Sequence, residues 1–295
     1  MARSVFRLAR LVLSGRTSSI RAAALLTCGI PRALRVRRFG AMGTLVSFHA
    51  HPNDDTTTCG GVLRKAHEDG HRVVLVLATR GELGYNPEGL LAEGETLADR
   101  RAVEARAAAD VLGVDRVEFL GYTDSGMVAA GEGGTFQTAD VEEAAQKVAA
   151  ILREENADVL TVYDEKGTYG DPDHIQVHRV GTRAAELAGT PKVFQSTINR
   201  EHIKANQRVL AERAGVELPA GPDFGTPEAE LTCRVDVSAY TEYKRKALLA
   251  HASQITPQST LFTDLPEDTF RTMFGTEWFI RAGQGPGITE TDLMG

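Results

Sequence analysis

The stretch Thr44-Leu-Val-Ser-Phe-His-Ala50, followed at once by His51-Pro-Asn-Asp-Asp55, decides the fold. Its first seven residues are mostly apolar or β-branched and predict a buried strand. The next five are polar and include Pro52, which favours a turn. Because helical periodicity follows, the stretch predicts the opening strand, turn and helix of an α/β domain.

Short β-branched runs and amphipathic segments alternate over the residues that follow. Further strands are predicted at residues 72–79, 117–120 and 158–163, and helices at residues 59–69, 95–112 and 141–154. Alternation of this kind favours right-handed βαβ units with helices on both faces of one sheet. We therefore predict a Rossmann-like three-layer α/β fold with a mainly parallel sheet.

Three segments lack this alternation. Residues 81–94 and 121–138 are long and turn-like, which is typical of substrate loops. Residues 198–232 begin helical and then become rich in Pro and Gly. We predict a small inserted cap there rather than a second domain.

The first 41 residues differ from the rest, since they hold nine Arg and no acidic residue. A transit peptide, a basic tail, or upstream sequence translated from a start codon placed too early would each explain them. The third alternative is favoured because Met42 directly precedes the first strand. We thus expect an Arg-rich leader at 1–41 outside the fold and one domain at 42–295.

The amino-acid composition limits the kinds of molecule that the protein is expected to bind. Residues 42–295 carry 24 Lys and Arg against 40 Asp and Glu, a net charge of −16, which argues against nucleic-acid binding. No apolar stretch reaches the ~18 residues that a membrane span needs. The three cysteines form no C-x-x-C pair, which fits a reducing, cytoplasmic location. A small-molecule substrate is expected, and a homo-oligomer stays open.

Two polar segments follow predicted strands, where ligands gather in an open α/β sheet. The first is His51-Pro-Asn-Asp-Asp55, and the second is Tyr169-Gly-Asp-Pro-Asp-His174. Together they supply His51, Asp54 and His174. Two imidazoles and one carboxylate are typical ligands of a catalytic zinc ion, whose fourth coordination position stays open to water. Such an ion activates the water for attack on a carbonyl.

Helix capping is the alternative explanation of the same residues. Asp171 and Pro172 are typical of a helix N-cap and first helical position, and Asn53 or Asp54 could cap the helix after the first strand. Either motif alone would be mostly structural, but both together favour a metal site. His178, one turn after His174, is left out of the ligand set.

At these residues the sequence resembles the LmbE-like, or PIG-L, deacetylase family, whose motifs are H-P-D-D-E and H-P-D-H. The resemblance runs from Met42 to about Ile255 and includes Gly60-Gly61, Thr79-Arg-Gly-Glu82 and Thr123-Asp-Ser-Gly-Met127. Within the family, the chain is similar to actinobacterial members that act on N-acetylglucosaminyl-inositol or on mycothiol conjugates. Zinc-dependent hydrolysis of an N-acyl group on an amino sugar is the implied function.

The resemblance also implies roles for single residues. His51, Asp54 and His174 would bind zinc, Tyr169 would polarise the scissile carbonyl, and Asp173 would orient a histidine. Substrate hydroxyls would be bound by residues that lie in or beside the predicted loops: Arg101, Asp124 and Glu82. For Arg101, pairing with Glu104 along its helix is the alternative.

Three positions depart from the family motifs. Asn53 replaces the Asp that serves as general base, Asp55 replaces a Glu, and Asp171 replaces the leading His of the second motif. An amide cannot act as the base at neutral pH. We therefore expect another carboxylate to do so, with Asp171 preferred and Asp55 second.

Three functions follow as hypotheses. The first is an active zinc amidase with rearranged acid/base groups, and the second is a weakly active or inactive relative that binds zinc and a sugar-like ligand. The third, a nucleotide-binding Rossmann module, has little support because no G-x-G-x-x-G follows the first strand.

Overall fold

The computed structural model describes residues 42–126, 134–215, 217, 224–256 and 259–295. The predicted leader at residues 1–41 and the middle of the loop predicted at 121–138 lie outside these ranges. Among the residues inside them, no helix is long and apolar enough to cross a membrane.

In the part of the chain that the structure describes, seven strands form one sheet. They are β1 Thr44–His49, β2 Arg72–Leu77, β3 Arg116–Phe119, β4 Val159–Tyr163, β5 Lys192–Thr197, β6 Cys233–Asp236 and β7 Thr276–Arg281. Seven helices of eight residues or more lie around the sheet in the described ranges, and two shorter ones are Gly167–Gly170 and Thr260–Thr263. The seven longer helices are α1 Asp54–Asp69, α2 Leu97–Leu112, α3 Val141–Glu154, α4 Pro172–Ala188, α5 Arg200–Ala214, α6 Thr241–Ala250 and α7 Glu267–Phe274.

The sheet has the strand order β3-β2-β1-β4-β5-β7-β6. The first five strands in this order are parallel, and β7 and then β6 add antiparallel at the far edge. The predicted mainly parallel α/β sheet is therefore confirmed. The antiparallel edge was not predicted, since β6 and β7 are not joined to the sheet by βαβ units.

Alternate residues of the central strands face opposite layers of helices, as the two-residue period of a strand requires. One face of β1, β2 and β4 packs on α3 and α4 through Val46, Phe48, Val74, Val76, Leu160 and Val162. The other face packs on α1, α2 and α6 through Leu45, Val73 and Val159. Helices on both faces confirm the three predicted layers.

The strand order reverses at β1. The chain passes from β1 to β2 and β3 on one side and then returns to β4 on the other side. In an open α/β sheet such a reversal leaves a crevice at the carboxyl ends of the two central strands. The segments after His49 and Tyr163, the last residues of β1 and β4, open into it.

Residues 198–232, predicted as an inserted cap, contain α5 and the 3₁₀ turn Glu228–Glu230. Asn199 caps α5 by accepting from the backbone N–H groups of Glu201 and His202. The helix packs toward α7, because His202 Nε2 lies 3.0 Å from the carbonyl oxygen of Met273. The predicted helical start of this segment is thus present. That residues 198–232 form a cap inserted over the site stays a prediction.

Candidate metal centre

The three predicted ligands meet in the crevice. Asp54 Oδ2 lies 3.1 Å from His51 Nδ1 and 3.2 Å from His174 Nε2. One ligand atom from each residue lies within 4.8 Å of the other two. These short distances bring two imidazole nitrogens and one carboxylate oxygen to a single point, which is the donor set of a catalytic zinc site.

The turn between β1 and α1 places His51 and Asp54. Asp54 Oδ2 accepts a hydrogen bond of 2.9 Å from the backbone N–H of His51, so the carboxylate folds back onto the imidazole. Asn53, between them, has a φ of 90°, a left-handed conformation that Asn tolerates better than most residues. As a result α1 begins at Asp54 rather than at residue 59.

Asn53 occupies the N-cap position of α1, but its side chain makes no capping hydrogen bond. The capping predicted as an alternative for Asn53 is therefore wrong. Its Nδ2 donates instead to Gln254 Oε1 at 2.9 Å, and Gln254 Nε2 donates to the carbonyl of Pro52 at 2.9 Å. Gln254, which is distant in sequence, thus stabilises the turn between β1 and α1 through two hydrogen bonds.

The start of α4 places the second motif. Asp171 Oδ1 accepts from the backbone N–H of Asp173 at 2.9 Å, and Pro172 is the first helical residue, so the predicted cap is present. Asp171 also has an oxygen within 4.8 Å of ligand atoms of His51 and Asp173, and it is only 1% exposed. Asp171 is therefore both a cap and a neighbour of the metal set.

A carboxylate holds the far side of the His51 ring. His51 Nε2 lies 3.2 Å from Asp173 Oδ2 and 3.3 Å from Asp124 Oδ1. Asp173 Oδ2 also accepts a hydrogen bond from the backbone N–H of Ser125. Burial lowers the pKa of His51, but hydrogen bonds to Asp124, Asp173 and Asp54 raise it well above its ordinary value. A carboxylate behind a histidine fixes the ring orientation and increases its basicity toward a metal.

Asp54 keeps its negative charge. Burial opposes ionisation, but His174 and His51 hold the pKa of Asp54 well below its ordinary value. The carboxylate is therefore ready to bind a cation without first losing a proton.

Tyr169 stands beside the ligands, with its ring centroid 4.9 Å from that of His174 in an edge-on arrangement. Burial, with the charges of Asp54, Asp171 and Asp124, raises the pKa of the Tyr169 phenol above its ordinary value. The phenol stays protonated at neutral pH and can donate a hydrogen bond.

Asp55 lies outside the ligand group. Its Oδ2 accepts a hydrogen bond from Thr56 Oγ1 at 2.9 Å, and burial raises its pKa to about 7. Thr56 Oγ1 is in turn 3.5 Å from His251 Nε2, so the contacts of Asp55 run toward α6 and the segment after it.

The three predicted substrate residues lie in or against the loops at residues 81–94 and 121–126, called the rim below, and they differ in their contacts. Asp124 touches His51, as described above. Glu82 accepts backbone N–H groups at both carboxylate oxygens, from Asp124 at 3.0 Å and from Arg80 at 3.1 Å. Glu82 therefore organises the loop that lies against Asp124.

Arg101 is 5% exposed and donates to the carbonyl oxygens of Gly81 at 2.7 Å and Tyr85 at 3.3 Å. Glu104, its alternative partner, accepts instead from the backbone N–H and hydroxyl of Ser253 at 2.9 and 2.6 Å. The hydrogen bonds of Arg101 thus hold the loop at the rim of the site.

The sequence reasoning did not identify two buried residues that border the metal set, His49 and Tyr163. Each is the last residue of a central strand, directly before the segment that carries the ligands. That position was the only signal. His178, which the predicted ligand set leaves out, has its Nδ1 2.9 Å from the backbone carbonyl oxygen of Tyr163.

Comparison with known proteins gives three kinds of match. The family model described as PIG-L, GlcNAc-PI de-N-acetylase, matches residues 46–185. The 1D-myo-inositol 2-acetamido-2-deoxy-alpha-D-glucopyranoside deacetylase of Thermobifida fusca is 36% identical over 281 residues, covering 85% of this chain and 98% of that protein. Solved structures give the third kind.

The N,N'-diacetylchitobiose deacetylase of Pyrococcus horikoshii has a TM-score of 0.52 at 19% identity, covering 82% of this chain and 84% of its own. The 4-carboxy-2-hydroxymuconate hydratase of Pseudomonas putida has a TM-score of 0.52 at 18% identity, covering 85% and 99%. Because a hydratase shares the fold with a deacetylase, the structural likeness establishes the fold alone.

Proposed function

Because the chain belongs to the PIG-L family of de-N-acetylases, we propose that it is a zinc-dependent amidase that removes an N-acetyl group from a glucosamine-like or mycothiol-related substrate. The observation that carries this proposal is the meeting of His51, Asp54 and His174 at the end of β1 and β4. The relative from Thermobifida fusca is named for such a substrate, an acetamido sugar joined to inositol.

Zinc is the proposed metal, since two imidazoles and one carboxylate match the ligands of catalytic zinc sites. The carboxylate of Asp173 behind His51 supports this choice, because zinc-bound histidines usually have such a partner. Zinc in this position would polarise the amide carbonyl and lower the pKa of water.

The protein groups then have three tasks. Tyr169 would donate its phenolic hydrogen to the carbonyl oxygen as negative charge develops there. Asp173 would keep the His51 ring in place. Hydrolysis breaks the C–N bond, adds the water oxygen to the acyl carbon, and moves one proton from water to the departing amine.

A carboxylate must carry that proton, and we propose Asp171. It lies beside His51 and Asp173 in the buried site, whereas the contacts of Asp55 lead away toward Thr56. Asn53 cannot take the proton, and its amide is already bonded to Gln254.

At the rim, Asp124, Arg101 and Glu82 would shape the site for the hydroxyl groups of the sugar. Asp124 is the one closest to the ligands, 3.3 Å from His51 Nε2. We propose that Arg101 and Glu82 act on substrate through the loop they hold. The proposed substrate is a small N-acyl amino sugar in the cytoplasm.

A second candidate function is a weakly active or inactive relative that binds zinc and a sugar-like ligand. The hydrogen-bonded pair of Asn53 and Gln254 favours it, because an amide stands where the family motif has its base. Zinc binding and substrate binding would then persist without efficient turnover.

The test is acetate release by the zinc-loaded protein from a panel of N-acetyl amino sugars, among them N-acetylglucosaminyl-inositol and an N-acetylated thiol conjugate of it. We expect release that stops on chelation and returns with zinc. Saturable sugar binding without acetate release would establish the second candidate instead. Absence of both binding and release would reject both.

A further inference from the structure

The aromatic ring of Tyr163 packs face to face against the imidazole ring of His174. The two ring centroids are 3.9 Å apart and the planes differ by 7°, so the rings are stacked. Tyr163 is fully buried at the end of β4. It therefore packs against a proposed ligand from the sheet side.

The second ring nitrogen of His174 bears on how this ring is oriented. A metal-binding histidine usually donates its second ring N–H to a carboxylate or carbonyl. His174 Nδ1 is buried and has no hydrogen-bond partner among the residues that the structure describes. Packing, and not a second hydrogen bond, must fix the plane of this ring.

The hydroxyl of Tyr163 lies at one end of a buried series of hydrogen-bonded side chains. It lies 3.1 Å from His49 Nδ1, His49 Nε2 lies 2.7 Å from Ser47 Oγ, and that hydroxyl lies 2.6 Å from Thr161 Oγ1. A neutral imidazole has one donor nitrogen and one acceptor, which suits these two contacts of His49. The backbone N–H of Ala50 also points at the phenol oxygen, at 3.5 Å.

One assignment of hydrogens gives Thr161, Ser47 and His49 an acceptor each. Thr161 donates to Ser47, Ser47 to His49 Nε2, and His49 Nδ1 to the phenol oxygen, which leaves the phenol hydrogen for another acceptor. The contact with His49 Nδ1 thus holds the phenol end of the Tyr163 ring.

We infer that Tyr163 is a positioning residue for the metal site: its stacked ring holds the plane of His174, and the contact of its hydroxyl with His49 keeps that ring in place. The inference rests on the metal site of the proposed function. It assigns a second role to β1 and β4, whose last residues, His49 and Tyr163, support His174 in addition to preceding the segments that carry the proposed ligands.

The test compares Tyr163→Phe, which removes only the hydroxyl, with Tyr163→Leu, which also removes the stacked ring. The matched control is Tyr122→Phe, whose hydroxyl accepts from Lys147 Nζ at 3.0 Å, away from the ligands. Zinc affinity is measured by competition with a chelator, and the visible spectrum is recorded after loading with Co²⁺. Circular dichroism of the metal-free variants checks the fold.

We expect zinc affinity to fall about 10-fold in Tyr163→Phe and about 100-fold in Tyr163→Leu, the range for residues that support metal ligands. The Co²⁺ bands should change in both variants and stay unchanged in Tyr122→Phe. If Tyr163→Leu fails to fold, the Phe variant still decides the role of the hydroxyl. Wild-type affinity and an unchanged Co²⁺ spectrum in Tyr163→Phe would overturn the inference.

The same measurements separate this inference from the proposed function. A wild-type protein that binds zinc but releases no acetate would reject the function and leave the role of Tyr163 intact. A wild-type protein that binds no zinc would reject both.

Discussion

At the scale of the residue, the site combines three proposed metal ligands, which match the family motifs, with neighbours that depart from them. Asn53 and Asp171 stand where the resembled family has a base Asp and a His. The structure gives each a local explanation: Asn53 is bonded to Gln254, and Asp171 caps α4. Kinetics must decide whether Asp171 also moves protons.

Asp171→Asn should lower kcat by about 10²- to 10⁴-fold, the usual effect of removing a positioned base. Zinc content should not change, because Asn can still accept the hydrogen bond from the backbone N–H of Asp173 and so cap α4. Steady-state kinetics with metal analysis makes the measurement. Full activity in this variant, together with a sharp gain in Asn53→Asp, would show that Asp171 is only a cap.

Tyr169→Phe should lower kcat by roughly 10²-fold or more with a modest change in KM. The reason is that the phenol would donate mainly to the charge that develops in the transition state. Tyr122→Phe serves as the control. A rise confined to KM would instead make Tyr169 a contact of the bound substrate.

At the scale of the element, a buried ion pair ties α6 to β7 and α1. Lys244 Nζ lies 2.7 Å from Glu277 Oε1, and both side chains are 2% exposed. Glu277 also accepts from the backbone N–H groups of Gly61 and Val62, at 2.7 and 2.8 Å. One carboxylate thus joins the antiparallel edge of the sheet to the helix that starts at Asp54.

Lys244→Met should lower the free energy of unfolding by about 3–5 kcal/mol, because it leaves the carboxylate of Glu277 buried without its cation. The control is Lys246→Met on the same helix, whose pair with Glu242 is exposed and should leave the midpoint of urea denaturation unchanged. Equal midpoints for the two variants would contradict the role given to the buried pair.

At the scale of the whole molecule, the proposed metal site lies between the two halves of the sheet. His51 and Asp54 follow β1, and His174 follows β4, so a bound ion would connect segments far apart in the chain. Binding to the folded state alone stabilises it, by about 2.7 kcal/mol at a zinc concentration 100 times the Kd.

Zinc should therefore raise the thermal midpoint of the protein by about 5–10 °C, given the usual shift per kcal/mol for a domain of this size. His174→Ala should show no such shift and should contain no zinc. His178→Ala, one turn along α4, should keep both. Zinc content and a zinc-induced shift that survive in Ala variants of His51, Asp54 and His174 would refute the ligand assignment.

A chain that begins at Met42 should have the thermal midpoint of the full chain. The first strand starts at Thr44, and its backbone N–H is bonded to Asp158 Oδ2 at 2.8 Å, so this edge of the domain is held by residues of the domain itself. Differential scanning calorimetry of both chains makes the comparison. A large loss of stability on shortening would show that residues 1–41 belong to the fold.

The sequence by itself determined the parallel part of the sheet and the three proposed ligands. Alternating strands and helices imply βαβ units, and the carboxyl ends of parallel strands meet at one edge of the sheet. His51, Asp54 and His174 follow two such ends, so local patterns were sufficient to bring them together. The same patterns placed the cap formed by Asp171, because helix starts depend on residues close in the chain.

Only the tertiary structure decided what surrounds the ligands. Three features join segments that no periodicity along the chain relates. They are the stacking of Tyr163 on His174, the hydrogen bond between Asn53 and Gln254, and the antiparallel edge formed by β6 and β7. The side chain of Arg101 likewise binds loop carbonyls rather than Glu104 on its own helix. Such contacts depend on how completed elements pack against one another, and a pattern read along the chain records only where each element begins and ends.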